Sequence, residues 1–326
     1  MNRSFHVPKK DQCPVCTRWN FLLPAEKEGE KANYDAHLLR AKRARELKNK
    51  INEKINQCEE GFESAKLYNV DLQKVLETPK SEAGPIFYKR KLAIYNLTVY
   101  DLNSREGICN LWDQTYGKRG SNETCTVLFN LMKTNGDVRK FYFVTDCCGG
   151  QFRNQFMVAM YVFSIMTLPN VQEINHIFLE SGHTQQEGDT MHACIERAAK
   201  NVPVFTIEGW RTICLLARIN PFPYIVNVID DHKYWSDFRQ LGEDLIKNKK
   251  MSTDRTSVLW NKIVSAKTLP AWFISSMILN RTLSRLILEW EVETPLSPNC
   301  SSRKLIQSVS LLLLPSIRIY RIFASQ

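Results

Sequence analysis

From Ile86 to about residue 240 the period of the apolar residues switches repeatedly, and few folds accommodate that. Ile86–Leu102 is rich in Tyr, Ile, Val and Thr, and Ile108–Gln114 reads the same way, so both are predicted as strands. Cys125, Leu128, Phe129 and Met132 then fall at i, i+3, i+4 and i+7, the stripe of a core-facing helix. Ser121 is placed to cap it and Asn135-Gly136 to end it. Lys140–Thr145 is a compact strand that runs straight into Asp146. Phe156–Leu168 is apolar on every side, which predicts a buried helix stopped by Pro169. A strand at Ile174–Leu179 and a helix at Thr190–Lys200 follow. Strands interleaved with helices predict an α/β fold, a mixed sheet with helices packed on it.

The flanks read differently. Residues 1–30 hold Cys13-Pro-Val-Cys16 in a knuckle-like turn, and residues 31–85 form a charged, basic helical region. In that region Tyr34, Leu38, Leu39, Leu47 and Ile51 recur at roughly helical spacing. Residues 86–245 are the α/β domain, and 246–326 a basic tail of poor periodicity. No apolar run approaches the ~20 residues of a bilayer crossing, and Met1–Lys10 is polar, without a signal-peptide core. The expectation is a soluble intracellular protein with no membrane partner.

Lys and Arg outnumber Asp and Glu by 44 to 34, a surplus that favours polyanionic partners. It is unevenly spread: residues 247–326 carry 12 basic and 4 acidic side chains, which accounts for +8 of the +10. Arg40–Lys54 adds seven Lys and Arg against Glu46 and Glu53. Such a helix could lie along a DNA backbone, dimerise, or simply be a solvated face.

Asp101 and Asp146 each close a predicted strand, at the end where open α/β sheets place their ligands. Alternation puts Asp101 on the face of Val99 and Leu97, and Asp146 on that of Val144 and Tyr142. If the two strands are neighbours, the carboxylates meet. A divalent cation is then needed to hold both ionised. On a helix beginning near Asp189, that residue, His192 and Glu196 lie within about 60° of one another. Asp189 is the preferred third ligand, and Glu187 the alternative if it precedes the helix. Each of these acids taken alone has the ordinary reading of a cap or turn residue.

Cys13 and Cys16 have the C-x₂-C spacing of a zinc half-site, with His37 as a third ligand and Cys58 as a distant fourth. The competing reading is a plain turn with two buried thiols. Cys109, Cys125, Cys194 and Cys214 sit in apolar patterns, Cys147 and Cys148 form an adjacent pair after Asp146, and ten cysteines in a chain of this length suggest no disulfide framework.

Several words of the sequence resemble a transposon-derived family with an uncharacterised DDE-type, RNase H-like transposase domain. They are Pro8-Lys-Lys-Asp-Gln-Cys13-Pro-Val-Cys16, His37 before a basic helix, Tyr100-Asp101-Leu and Leu111-Trp-Asp-Gln. Arg119-Gly-Ser-Asn-Glu123, Asp146-Cys-Cys-Gly-Gly-Gln151-Phe-Arg-Asn154 and Gly182-His-Thr184 with Glu187, Asp189 and His192 complete the set. The resemblance implies an RNase H-like sheet and a two-metal site. In it Asp101, Asp146 and Asp189 (or Glu187) hold two Mg²⁺ or Mn²⁺ ions and cut or join DNA. It further implies that Gln151, Asn154, His183 and His192 orient ligands or contact phosphate, and that Arg119 meets a phosphate. DNA and a second copy of the chain are the expected partners, and the nucleus the expected location. Cys147 and Phe152 stand where the family usually has Asn. A catalytically degenerate copy that keeps only DNA or partner binding is therefore the alternative expectation.

Overall fold

Strand pairing, more than local propensity, organises the chain. The computed structural model describes residues 12–81, 84–246, 263–268, 286–292 and 306–311. Its frame is β1 (Ala65–Leu72). On one side lie β3 (Leu92–Asp101) and then β4 (Gly107–Asp113); on the other lie β5 (Lys140–Thr145) and then β6 (Glu173–Phe178). The β1–β3 and β3–β4 pairs are antiparallel, whereas β1–β5 and β5–β6 are parallel. This is an RNase H-like mixed sheet flanked by helices, the fold class expected from the sequence.

The frame is extended at both edges. β2 (Leu76–Thr78) pairs with the start of β3, and β7 (Ile225–Val228) runs parallel to β4. β8 (Ile263–Thr268), β9 (Leu286–Val292) and β10 (Ile306–Leu311) continue antiparallel beyond β6, giving ten strands among the described residues. Three segments of the aperiodic basic tail thus join the sheet.

The central strand lies in the segment read as a basic helix. That segment splits into α2 (Pro24–Asn56) and β1, so a boundary at residue 85 cuts through the sheet. β1 lacks the alternation of a half-buried strand because both of its faces are covered. Leu67, Tyr68, Asn69 and Val70 are all buried. The strand predicted from Ile86 begins instead at Leu92, after a short helical turn, α3 (Gly84–Phe87).

One face of the sheet is covered by α4 (Ser121–Thr134), α5 (Gln155–Thr167) and α8 (Phe238–Leu245). Their apolar sides join Tyr68, Val70, Leu97, Val99, Phe141 and Phe143 in the largest core cluster. Asn154 caps α5 as its side chain accepts from the amides of Phe156 and Met157. Gly120 rather than Ser121 is the N-cap of α4, and no side chain caps it.

The other face is shared. α6 (Glu187–Ala198) and α7 (Ile207–Leu216) cover β3 and β4 through Met191, Ile195, Trp210 and Ile213. α2 covers β1, β5 and β6. Its buried stripe is His37, Ala41, Ala44, Lys48, Ile51 and Ile55, at alternating spacings of four and three. Leu38, Leu39 and Leu47 are exposed. Small side chains let the helix backbone approach the sheet, which is why alanines took the places the leucines were expected to fill. Lys42, Arg43, Arg45 and Lys50 face outward. Among the described residues no helix is long and apolar enough to cross a membrane.

Candidate functional site

The parallel register of β1 and β5 pairs Asn69 with Val144. Two residues further along each strand, Asp71 comes level with Asp146 on the same face of the sheet. α6 brings the third group. Its amino end is docked by Asn69, whose Oδ1 accepts from the Gly188 amide at 2.9 Å and whose Nδ2 donates to Val144 O and Gln186 Oε1. Asp189 closes the first turn by accepting from the Gln186 amide at 2.9 Å. The ligand atoms of Asp71, Asp189 and His192 all lie within 4.8 Å of one another.

Hydrogen bonding sets the state of His192. Thr98 Oγ1 donates its one proton to the Asp71 carbonyl at 3.0 Å, so at 2.8 Å it accepts from His192 Nε2–H. The Nδ1 lone pair is then left facing Asp71 Oδ2 at 3.7 Å. A lone pair and a carboxylate in that position repel unless a proton or a cation stands between them. Burial lowers the His192 pKa to about 4, so the ring is neutral at pH 7. Burial and the charges of Asp146 and Asp189 raise Asp71 to about 7. Burial also raises Asp146, against the Cys148 amide and the charges of Arg153 and Arg119. These residues fit a hard or borderline divalent cation: carboxylate oxygens with one imidazole nitrogen suit Mn²⁺ or Mg²⁺.

Gly188 makes the docking possible. A Cβ there would sit 2.9 Å from Asn69 Oδ1 and 3.1 Å from Asp71 Cβ. Asn69 is held by its own bonds and cannot yield cheaply. Gly188→Ala is therefore expected to cost about 1–3 kcal/mol of stability, read from urea unfolding, as α6 is pushed off β1.

Asp101 belongs elsewhere. β3 is antiparallel to β1 and pairs Asp101 with Tyr68, about 10 Å along the strand from the level of Asp71. It lies on the face of Val99 and Leu97, whose core cluster is on the opposite side of the sheet from that of Val144 and Tyr142. Its carboxylate pairs with Lys66 at 2.9 Å and accepts from the amides of Asn103 and Ser104. The strands of Asp101 and Asp146 are separated by β1, so the expected meeting of these two acids does not occur.

The remaining expectations divide. Glu187 is engaged by Lys48, 2.9 Å from both of its oxygens. The Asn154 carboxamide caps α5 and donates to Gly149 O. Gln151 lies in the loop after Asp146, its carbonyl accepting from Thr124. Arg119 is exposed and close enough for its charge to lower the pKa of both Asp71 and Asp146. Cys147 and Phe152 are engaged by neighbouring groups of the fold. Phe152 is fully buried against His176, and Cys147 donates to Leu179 O.

Cys13, Cys16 and His37 converge as expected, but their fourth neighbour is His183; Cys58 lies exposed beyond the end of α2. The sequence reading missed Asp71. The usable signal was a strand-length segment carrying Leu67, Tyr68, Val70 and Leu72, bounded by Glu63-Ser64 and Gln73-Lys74.

Fold and site together define an RNase H-like α/β protein with an acid–imidazole cluster at the carboxyl end of its central strand. Residues 102–249 match a family described as a domain of unknown function (DUF7869). The matched stretch contains Asp146, His183, Asp189 and His192, whereas Asp71, Cys13, Cys16 and His37 precede it. No curated protein and no solved structure matches the chain.

Proposed function

We propose that this is a transposase-derived protein that cleaves or joins DNA phosphodiesters with a divalent-metal site built on Asp71, Asp146 and Asp189, assisted by His192. The observation that carries the reading is the convergence of Asp71, Asp189 and His192 within 4.8 Å, beside Asp146 just past the end of the adjoining parallel strand. When bound there, two Mg²⁺ or Mn²⁺ ions supply activation of a water or 3′-hydroxyl and stabilisation of the leaving oxygen. Asp71 and Asp189 provide oxygens, His192 provides Nδ1, and Asp146 closes the site from β5. Arg119 stands where it can meet a phosphate. The outward basic side chains of α2 give the DNA backbone a sequence-independent contact. The chain then acts on nuclear DNA, and cutting both ends of an element calls for a second copy.

The test is a calorimetric Mn²⁺ titration of the full chain beside Asp146→Asn. Saturable binding weakened at least about tenfold in the variant is expected; no binding, or equal binding by both, would leave a DNA- or partner-binding relic as the better account. The pH dependence follows from Asp71. Its folded pKa, about 7, lies above the ~3.9 of a free Asp. In the metal-free protein this group therefore favours folding at low pH, and that contribution is lost as pH rises through about 7. Metal must displace the proton below that pH. Mn²⁺ should raise Tm more at pH 8 than at pH 6, and a shift that is equal at both would exclude Asp71 as a ligand.

A further inference from the structure

A second cluster lies outside the acidic site, where the amino-terminal helices meet the loop after β6. Cys13 precedes α1 (Pro14–Phe21), Cys16 lies in its first turn, His37 is on α2, and His183 follows β6. His37 Nε2 is 3.2 Å from Cys13 Sγ, 3.7 Å from Cys16 Sγ and 3.0 Å from His183 Nε2. Cys16 Sγ is 3.3 Å from His183 Nε2. Thiolate and imidazole ligands around a tetrahedral zinc stand about 3.3–3.8 Å apart, given Zn–S near 2.3 Å and Zn–N near 2.0–2.1 Å. The four atoms therefore already sit close to the corners of such a site.

Two further features point the same way. Glu180 Oε1 lies 2.9 Å from His37 Nδ1, and Glu180 is itself held by Arg40. Nδ1 is thereby the protonated nitrogen, and the Nε2 lone pair is aimed among two sulfurs and another imidazole. A carboxylate behind a histidine is the usual way a metal-ligating ring is oriented. His37 is 2% exposed, so its ring is shielded from solvent. Gly182, at φ +77°, brings the loop against Cys13, where a Cβ would lie 2.5 Å from Cys13 Cα.

We propose that Cys13, Cys16, His37 and His183 bind one structural Zn²⁺ that fastens α1 and α2 to the loop leading into α6. Two soft sulfurs and two imidazoles in a closed tetrahedral set select zinc over the oxygen-seeking ions of the acidic site. The metal joins ligands far apart in sequence, and the residues that follow His183 are the ones that dock and carry Asp189. This site stands whether or not the acids catalyse anything.

The full chain, purified from zinc-supplemented culture without chelator, should contain about one zinc per molecule by elemental analysis. Cys16→Ser and His183→Ala should lose it, while His183→Cys, which restores a ligand, should keep it. A Co²⁺-exchanged sample should show tetrahedral d–d bands and thiolate charge transfer. Hydrogen exchange should rise at residues 180–190 on chelation while β1 and β5 stay protected. Circular dichroism of each variant separates lost ligation from lost folding. A wild-type protein without zinc, a Cys13–Cys16 disulfide, or full zinc content in both Cys16→Ser and His183→Ala would overturn the site. Unchanged exchange at 180–190 would overturn its fastening role.

Discussion

In the DNA cleavage proposed above, Asp71→Asn should lower the Mn²⁺-dependent rate by on the order of a thousandfold, while Asp101→Asn should leave it within a few-fold of the parent. The contrast follows from the sheet. Asp71 is on the strand beside Asp146 and within 4.8 Å of the ligand atoms of Asp189 and His192. Replacing its carboxylate by an amide removes a negative charge while preserving shape. Asp101 is on the opposite face and toward the opposite end, holding the turn through Asn103 and Ser104 and pairing with Lys66. An amide there keeps the acceptor for the two backbone donors and loses the ion pair, so it should cost stability, about 1–2 kcal/mol, rather than chemistry. A nicked-plasmid assay with both variants, each checked for its unfolding midpoint, decides the matter. Equal loss in the two variants would mean that the acids act through the fold and not through a metal.

The second large effect is expected at Gly182. Its φ of +77° is in the left-handed region, which costs a residue with a side chain about 1 kcal/mol. The added Cβ would also lie 2.5 Å from both Cys13 Cα and Cβ. Backbone cannot yield as a flexible side-chain tip does, so α1 must move. Gly182→Ala is expected to lose about 2–4 kcal/mol in urea unfolding. Proteolysis should then release the segment around α1 before the sheet is cut. Gly136 offers the control: a Cβ there meets nothing within 4 Å, and Gly136→Ala should change the midpoint little. If Gly182→Ala behaves like Gly136→Ala, the loop does not clamp the amino-terminal helix.

Much of the fold could be read from the chain because its elements carry one-sided patterns. Lys140–Thr145 is the strand predicted, with the same limits, and the predicted buried helix at Phe156–Leu168 is α5, one residue earlier at each end. Asp146 and Asp189 stand at element ends that periodicity alone reveals, and His192 follows Asp189 one helical turn on. Cys13-x₂-Cys16 declares itself by spacing. The central strand was hidden for the opposite reason. Covered on both faces, β1 has no alternation to display, and its short run is interrupted by Asn69 and Asp71, the polar residues that hold α6 and form the site. Its position after a charged helix of 33 residues made it read as more of the same.

Two kinds of fact were thus decided at different levels. The residues themselves determined which segments pair or coil and which atoms could bind a cation, since periodicity, capping and donor chemistry are local. Only the tertiary structure decided which of those atoms meet. Asp71 replaces Asp101 because strand direction and pleat place them on opposite faces. His183 replaces Cys58 because the loop after β6 folds back onto α2. A side chain's partners across the sheet depend on register and strand order, and these are set by the burial of whole faces at once.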